Sequence, residues 1–246
     1  MTNTSARPRA LDVGVATDVG RVRDHNEDAW LADGTVHVVA DGMGGHAAGE
    51  VASATAIATF RALVGRTDLT VEDIDRAVDD ANDAILEAAR SQPGRRGMGT
   101  TATGLVQLGS GDWAIVNIGD SRVYRWADDV LAQVTIDHSE VQELVEEGLL
   151  TREQARVHPL RNIITRSLGL DPAAAPDVLV LPPVPGERFV LCSDGLNDEL
   201  DDAAIATVLR ENPRSQPAAG ALVAAAVAAG GHDNVTVIVV GVPGAD

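Results

Sequence analysis

The sequence contains no lysine, and all 19 of its basic residues are arginines. A P-loop needs a lysine that contacts the bound phosphates, so the glycine-rich stretch after Asp41 is not a P-loop. Without lysine, Schiff-base chemistry is excluded as well. The 37 acidic residues bring the formal net charge to −18. Because basic patches recognise nucleic acids and anionic membranes, this charge argues against both as partners.

Cysteine and long apolar stretches are also scarce. The single cysteine, Cys192, excludes an internal disulfide framework and a cysteine-based zinc cluster. No segment approaches the roughly 20 consecutive apolar residues that a membrane helix needs. The N-terminus has no apolar segment of the signal-peptide type. We therefore expect a cytoplasmic protein with a disordered lead-in over residues 1–10.

The hydrophobic pattern predicts strands that occur in runs and helices that come in pairs. Strands are expected over 11–17, 36–40, 177–182, 188–193 and 234–242, with a meander of short strands between residues 100 and 135. Helices are expected over 47–64, 70–90, 200–211 and 216–229. Because strands and helices do not alternate one for one, the pattern favours an α+β fold with mainly antiparallel sheets. We expect one domain over residues 11–243.

Aspartates recur beside the apolar strands. Asp41, Asp120 and Asp194 each follow such a strand, and Asp233 precedes the last one. A single Asp-Gly pair is common in tight turns, but four carboxylates close together would repel one another unless cations lay between them. A set of oxygen donors, to which the Gly42 carbonyl could add, suits Mg²⁺ or Mn²⁺ better than Zn²⁺ or copper.

The segment "TDVGRVRDHNEDAW" admits two interpretations. It could be a charged turn that follows the first strand. It could also supply a guanidinium that binds phosphate, from Arg23, and a carboxylate that orients metal-bound water, from Asp28. The segment alone does not decide between them.

Seven motifs occur in order along the chain. They are "RVRDHNED", "ADGMGGHAAGEVAS", "GMGTTATG", "VNIGDSRVYRW", "HPLRNIITRSLG", "FVLCSDGLND" and "HDNVTVIVV". Together they resemble the metal-dependent PPM-type (type 2C) serine/threonine protein phosphatases in their bacterial form, from about Asp12 to Val242. The resemblance implies an α-β-β-α four-layer sandwich. It also implies two Mn²⁺ or Mg²⁺ ions in the cleft between the sheets.

The resemblance implies a role for each strand-end residue. Asp41 would bridge the two ions and so take part in catalysis, and the Gly42 carbonyl would bind the second ion. Asp194 and Asp233 would complete the first ion site. Asp120 matches the position that helps to bind a third, weaker ion in bacterial members.

The resemblance also implies the groups around the ions. Arg23 would hold the substrate phosphate, and Asp28 would contact bound waters. Residues 139–165 match a mobile flap beside the site. Members with "DGH" place a candidate general acid directly after the glycine, where this chain has Met43. His46 lies three residues further on, and a structural polar contact is the simpler interpretation for it than proton donation.

The implied reaction is hydrolysis of phosphoserine and phosphothreonine in proteins by metal-activated water, opposing a Ser/Thr kinase. One alternative is a catalytically silent domain that binds metal or a phosphoprotein, although such members usually lose metal carboxylates that are all present here. Another is the same chemistry dedicated to one phosphoprotein, such as a phosphorylated anti-sigma antagonist. A cysteine phosphatase is excluded because Asp198 stands where C-x₅-R requires arginine. Four other histidines are expected in turns or at the surface: His25, His37, His138 and His232.

Overall fold

The computed structural model describes residues 10–44 and 48–244. The strands in these ranges are β1 (Asp12–Asp18), β2 (Ala29–Asp33), β3 (Val36–Ala40), β4 (Gly42–Met43), β5 (Gly99–Thr100), β6 (Ala102–Gln107), β7 (Trp113–Ile118), β8 (Arg122–Ala127), β9 (Val130–Gln133), β10 (Asp177–Leu181), β11 (Arg188–Cys192) and β12 (Val235–Gly241). The helices are α1 (Ala48–Phe60), α2 (Val71–Ser91), α3 (Glu140–Glu146), α4 (Arg152–Arg156), α5 (Asp194–Asn197), α6 (Asp202–Glu211) and α7 (Ser215–Ala229). Most of the predicted lead-in, and His46, lie outside the described residues.

Two five-stranded sheets form the centre of the fold. The first has the order β1-β12-β11-β8-β9, and the second has the order β10-β7-β6-β3-β2. Every neighbouring pair in both sheets is antiparallel. A short ribbon of β4 and β5 stands beside them. The predicted preference for antiparallel sheets is therefore confirmed.

Alternation along the strands produces the layers, because successive side chains of a strand point to opposite faces. In β3, Val38 packs with the residues of α1 and α2, whereas Val39 belongs to the cluster between the sheets. In β12, Val237 packs with α6 and α7, whereas Ile238 faces the other sheet. The fold is thus an α-β-β-α four-layer sandwich, as the resemblance implied.

Local sequence signals explain the helix boundaries. Helix α2 starts after Thr70, whose hydroxyl accepts from the Asp73 amide while the Asp73 carboxylate accepts from the Thr70 amide. This reciprocal pair is a capping box, and Thr151 and Gln154 form a similar one at the start of α4. Helix α1 ends at Phe60, a few residues before its predicted end, and continues as one turn of 3₁₀ helix. None of the described helices is long and apolar enough to cross a bilayer.

The structure corrects two expectations for histidines. His37 lies in the middle of β3 and is only 1% exposed, and His138 is 5% exposed. Both were expected in turns or at the surface, whereas His25 and His232 are indeed exposed. The reason for His37 is that its neighbours in "VHVVA" are all apolar and the whole strand is buried.

Strand register brings the sequence-distant aspartates to one edge. Because β11 and β12 are antiparallel with Cys192 opposite Val237, the end of β11 lies beside the start of β12. Asp194 comes two residues after Cys192, and Asp233 comes two residues before Val235. Both carboxylates therefore emerge at the same edge of the first sheet.

Candidate metal centre

Asp41 follows β3 of the second sheet, and its carboxyl group is a neighbour of that of Asp194. The backbone of Asp41 is fixed by Thr101, whose hydroxyl accepts from the Asp41 amide at 2.9 Å and whose amide donates to the Asp41 carbonyl at 2.9 Å. The two carboxyl groups lie close enough for each to influence the pKa of the other. Burial and then neighbouring carboxylates raise the pKa of both groups well above the ordinary value. The pair therefore resists carrying two negative charges unless a cation compensates them.

Asp120 joins the cluster from the loop after β7. Its side chain is buried, and burial followed by the charge of Asp137 raises its pKa to about 7. The preceding residue, Gly119, donates its amide to Nδ1 of His138 at 3.1 Å and accepts from the His138 amide at 2.9 Å. His138 therefore fixes the loop that carries Asp120.

Asp28 reaches the site from the charged segment between β1 and β2. Ser193 donates its hydroxyl to Oδ2 of Asp28 at 2.8 Å, and the same hydroxyl accepts from the Thr236 amide at 3.0 Å. Burial raises the pKa of Asp28 to about 6, in spite of these hydrogen bonds. The segment is thus more than a charged turn, because it delivers a buried carboxylate to the cluster.

Asn234 fastens that segment to the loop before β12. Its side-chain oxygen accepts from the Glu27 amide at 2.8 Å, and its side-chain amide donates to the carbonyl oxygens of Val19 and His25, both at 2.9 Å. A single buried amide therefore holds three points of the charged segment in place.

Arg23 and Asp233 form an ion pair at the rim. Nη2 of Arg23 donates to Oδ2 of Asp233 at 2.6 Å, and the Asn234 amide donates to Oδ1 of Asp233 at 2.8 Å. The Arg23 side chain is 52% exposed, so the guanidinium lies at the solvent boundary of the site. Both carboxylate oxygens of Asp233 are therefore engaged by the chain itself, whereas Asp28, Asp120 and Asp194 each keep one buried oxygen without a partner among the described residues.

Gly42 has a packing reason to be glycine. A Cβ atom at this position would overlap the carbonyl group of Gly49 and lie 2.6 Å from the carbonyl oxygen of Glu27. Only glycine lets β4 pass between helix α1 and the charged segment. Since Gly42 follows Asp41 directly in the chain, its peptide lies beside the cluster.

Three buried carboxylate oxygens without hydrogen-bond partners show whether the site suits cations. Within the described residues, Oδ1 of Asp28, of Asp120 and of Asp194 are buried without a hydrogen-bond partner. Buried carboxylate oxygens are costly unless they coordinate something. No three acidic, histidine or cysteine side chains of the described ranges form a ready-made cage around one point. Mg²⁺-type ions keep several waters and need only one or two carboxylates each, so the donors fit hydrated divalent cations.

The predicted flap over 139–165 covers one side of the cluster. It contains α3 and α4, and its ends are joined where the Glu140 amide donates to the Ile163 carbonyl at 2.9 Å and the Thr165 amide donates to the His138 carbonyl at 2.8 Å. A cavity of about 150 Å³ separates it from the cluster, lined by Asp120 and Asp194 on one side and by Arg152 and Arg156 on the other.

Four supporting residues escaped the sequence analysis: Thr101, His138, Ser193 and Asn234. Thr101, Ser193 and Asn234 lie within quoted motifs, so their positions were visible, whereas His138 stands outside all seven motifs. The partners of these residues were not visible, because every contact joins residues far apart in the chain. Only the polar type of these side chains, next to apolar strands, signalled a buried hydrogen bond.

Comparisons with known proteins agree with this geometry. The family model "Protein phosphatase 2C" matches residues 20–228. The serine/threonine protein phosphatase PstP of Mycobacterium tuberculosis (strain H37Rv) is 41% identical over 232 residues, which are 93% of this chain and 44% of PstP. The chain thus spans less than half the length of that relative.

Two further comparisons cover nearly the whole of both partners. The serine/threonine phosphatase stp of Listeria monocytogenes (strain EGD-e) is 36% identical over 235 residues, which are 91% of this chain and 93% of stp. The crystal structure of the catalytic domain of PstP in complex with two manganese ions superposes with a TM-score of 0.86 at 38% identity, covering 95% of this chain and 99% of that domain.

Proposed function

The chain belongs to the protein phosphatase 2C family, and we propose that it hydrolyses phosphoserine and phosphothreonine in proteins with the help of divalent cations. The observation that carries this proposal is the cluster of strand-end carboxylates with orphaned, buried oxygens. The manganese complex of the PstP catalytic domain supports the choice of cation, and Mg²⁺ has the same preference for oxygen ligands.

We propose that the core site holds two ions. Asp41 and the Gly42 carbonyl would serve one, Asp194 and Asp233 would serve the other with Asp41 shared, and Asp120 would help to bind a weaker third. When bound, such ions lower the pKa of water and neutralise phosphoryl oxygens. Asp233 would then exchange part of its contact with Arg23 for a cation.

The chain's own groups would position the substrate and the water. Arg23 can bind phosphate with the donors that its contact with Asp233 leaves exposed, since a guanidinium offers five N–H groups. Asp28, held by Ser193, would accept a hydrogen bond from water and so orient it. The reaction needs no nucleophile from the protein, and the buried Cys192, whose pKa burial raises to about 12, is unsuited to be one.

The substrates would be phosphorylated proteins, and we propose a Ser/Thr kinase whose products this enzyme reverses as the cognate partner. A location in the cytoplasm belongs to the same proposal. Retention of every expected carboxylate speaks against a catalytically silent domain, because such members of the family usually lose metal carboxylates.

The test is hydrolysis of a phosphothreonine peptide and an aryl phosphate by the purified protein. Activity should be absent in chelator and return when Mn²⁺ or Mg²⁺ is added. Asp41→Ala and Asp233→Ala should abolish it, while Asp33→Ala, an exposed aspartate at the end of β2, should not. A wild-type protein that binds Mn²⁺ and hydrolyses neither substrate would contradict the proposal.

A further inference from the structure

A second polar pocket lies at the opposite end of the first sheet. It has a volume of about 250 Å³ and is lined by the starts of β1 and β11, the end of β12 and the connection between α6 and α7. Strand β12 separates it from the Asp233 loop by seven residues, or about 20 Å. The pocket is therefore distinct from the carboxylate cluster.

Arg188 is the main polar group of this pocket. It shares its face of β11 with Val190 and Cys192, which pack under helices α6 and α7, and it is only 8% exposed. Its Nη1 donates to the carbonyl oxygen of Leu209 at 2.9 Å. Its Nε and Nη2 are buried and find no partner among the described residues. Burial lowers the pKa of this guanidinium, and the charge of Asp12 offsets only part of this effect.

The two unpartnered nitrogens lie along one edge of the guanidinium and form the fork that binds oxyanions in a bidentate manner. The same fork is filled elsewhere in this molecule. Arg122 donates from Nε and Nη2 to the carboxylate of Asp137, at 2.9 Å and 2.6 Å. Arg188 thus presents a preoriented fork whose acceptor is not supplied by the described part of the chain.

Ser215 adds a second unpartnered donor. It is fully buried, lines the pocket, and its hydroxyl has no partner among the described residues. It is also the first residue of the 15-residue helix α7, whose N-terminus favours negative charge. Asp12 accepts from the Ser215 amide at 2.9 Å and forms no ion pair with Arg188 within the described ranges. The negative charge of Asp12 would repel an anion bound in the pocket, so we expect the pocket to bind anions with modest affinity.

We propose that this pocket, which we call the Arg188 pocket, binds a small oxyanion such as phosphate. Nε and Nη2 of Arg188 would hold two of its oxygens, and the Ser215 hydroxyl would donate to one of them. Such a ligand would neutralise the buried guanidinium and stabilise the folded chain through its preference for the native state. This inference does not depend on the proposed reaction, because no residue of the carboxylate cluster takes part.

The experiment follows the Nε–H signal of Arg188 by ¹H–¹⁵N NMR in the full chain, in chelator, while phosphate is titrated at constant ionic strength. Sulfate and acetate serve as parallel probes, since they share the oxyanion chemistry and differ in charge and shape. Arg188→Lys keeps the charge and removes the fork. Ser215→Ala removes the hydroxyl. Arg23→Met removes the guanidinium at the carboxylate cluster and controls for phosphate binding there.

We expect a saturable shift of the Arg188 signal, with a Kd near or below about 1 mM for phosphate. Phosphate should also raise the temperature of thermal unfolding, and this stabilisation should persist in Arg23→Met. The apparent Kd for phosphate obtained from thermal unfolding should rise by about tenfold or more in Arg188→Lys. Ser215→Ala should weaken binding severalfold. An unchanged or merely linear response to all three anions up to about 10 mM would overturn the proposal. So would an apparent Kd for phosphate that is unchanged in Arg188→Lys, or stabilisation that disappears in Arg23→Met.

Discussion

Strand β3 places two titratable side chains in contrasting surroundings. His37, in its middle, lies on the same face as Val39, towards the other sheet, and neither of its ring nitrogens has a partner among the described residues. Asp41 follows the last residue of the strand, beside the carboxylates of Asp28 and Asp194. Burial is the largest influence on both, and it lowers the pKa of His37 to about 4 while it raises that of Asp41.

The difference lies in the neighbours. Among the described residues, Asp33 is the charged group that acts on His37, so the imidazole stays neutral and behaves as part of the core. Asp41 has three like charges around it, those of Asp28, Asp120 and Asp194, which the fold brings together from three separate segments of the chain. A neutral core histidine needs nothing further, whereas a gathered set of carboxylates is unfavourable until a cation binds. The comparison therefore separates a structural titratable group from a functional one.

The largest expected difference between the carboxylate cluster and His37 is in catalytic activity. Asp194→Asn removes a proposed metal ligand at nearly constant volume, and we expect kcat to fall by about 10³-fold or more with Mn²⁺ present. His37→Leu should leave kcat within about twofold, because the side chain lies outside the cluster. Both variants should be assayed on the same phosphothreonine peptide. Comparable losses in the two variants would mean that the cluster is no more functional than the core.

Much of the fold could be predicted because the pattern of β3, β11 and β12 is apolar throughout and α2 starts at a capping box. Strand β2 was missed since its five residues follow directly on a charged segment. The burial of His37 could have been foreseen from "VHVVA". Which layer it faces could not, because alternation along a strand does not tell which sheet lies opposite.

The residues of the candidate site could be proposed from the sequence, whereas the hydrogen bonds that hold them in place could not. Strand-end aspartates are visible in sequence, and the resemblance supplied their roles. The contacts of Asn234 with the charged segment join residues about 200 positions apart, and no local pattern encodes them. The Arg188 pocket is hidden for the same reason, because Arg188 stands in the sequence like any arginine at the start of a strand.

Acid stability gives the next largest effect. The pKa of His37 is about 4 in the folded state, below the ordinary value of 6.5, so the unfolded chain binds a proton first and stability falls as the pH falls from about 6.5 to 4. This loss amounts to about 3 kcal/mol. His37→Leu should abolish it, as measured by urea unfolding at pH 7 and pH 4.5. The exposed His25, changed to leucine, serves as the control and should retain the wild-type loss.

Asp120 should show the opposite sign in the metal-free protein. Its folded pKa of about 7 exceeds the ordinary 3.8, so the folded state holds a proton that the unfolded state has lost, and stability falls as the pH rises from about 4 to 7. In chelator at pH 8, Asp120→Asn should therefore be more stable than the wild type by at least about 1 kcal/mol. Calorimetry with and without Mn²⁺ checks this. A destabilised variant in chelator would show that the carboxylate is already compensated.

The smallest expected effect is that of the Asp33 charge on the pKa of His37. Asp33 is exposed at the end of β2, and its charge raises the pKa of His37 slightly against the larger influence of burial. Asp33→Asn should lower that pKa further, by a few tenths of a unit, since exposed charges interact weakly.

At pH 5 the folded state keeps His37 neutral in either protein, so His37 adds no difference between their stabilities. Near pH 3.5 the variant should be less stable by a few tenths of a kcal/mol. The same substitution in a His37→Leu background should remove this acid-specific difference. If the difference persists there, it belongs to the turn between β2 and β3, and burial alone sets the charge of His37.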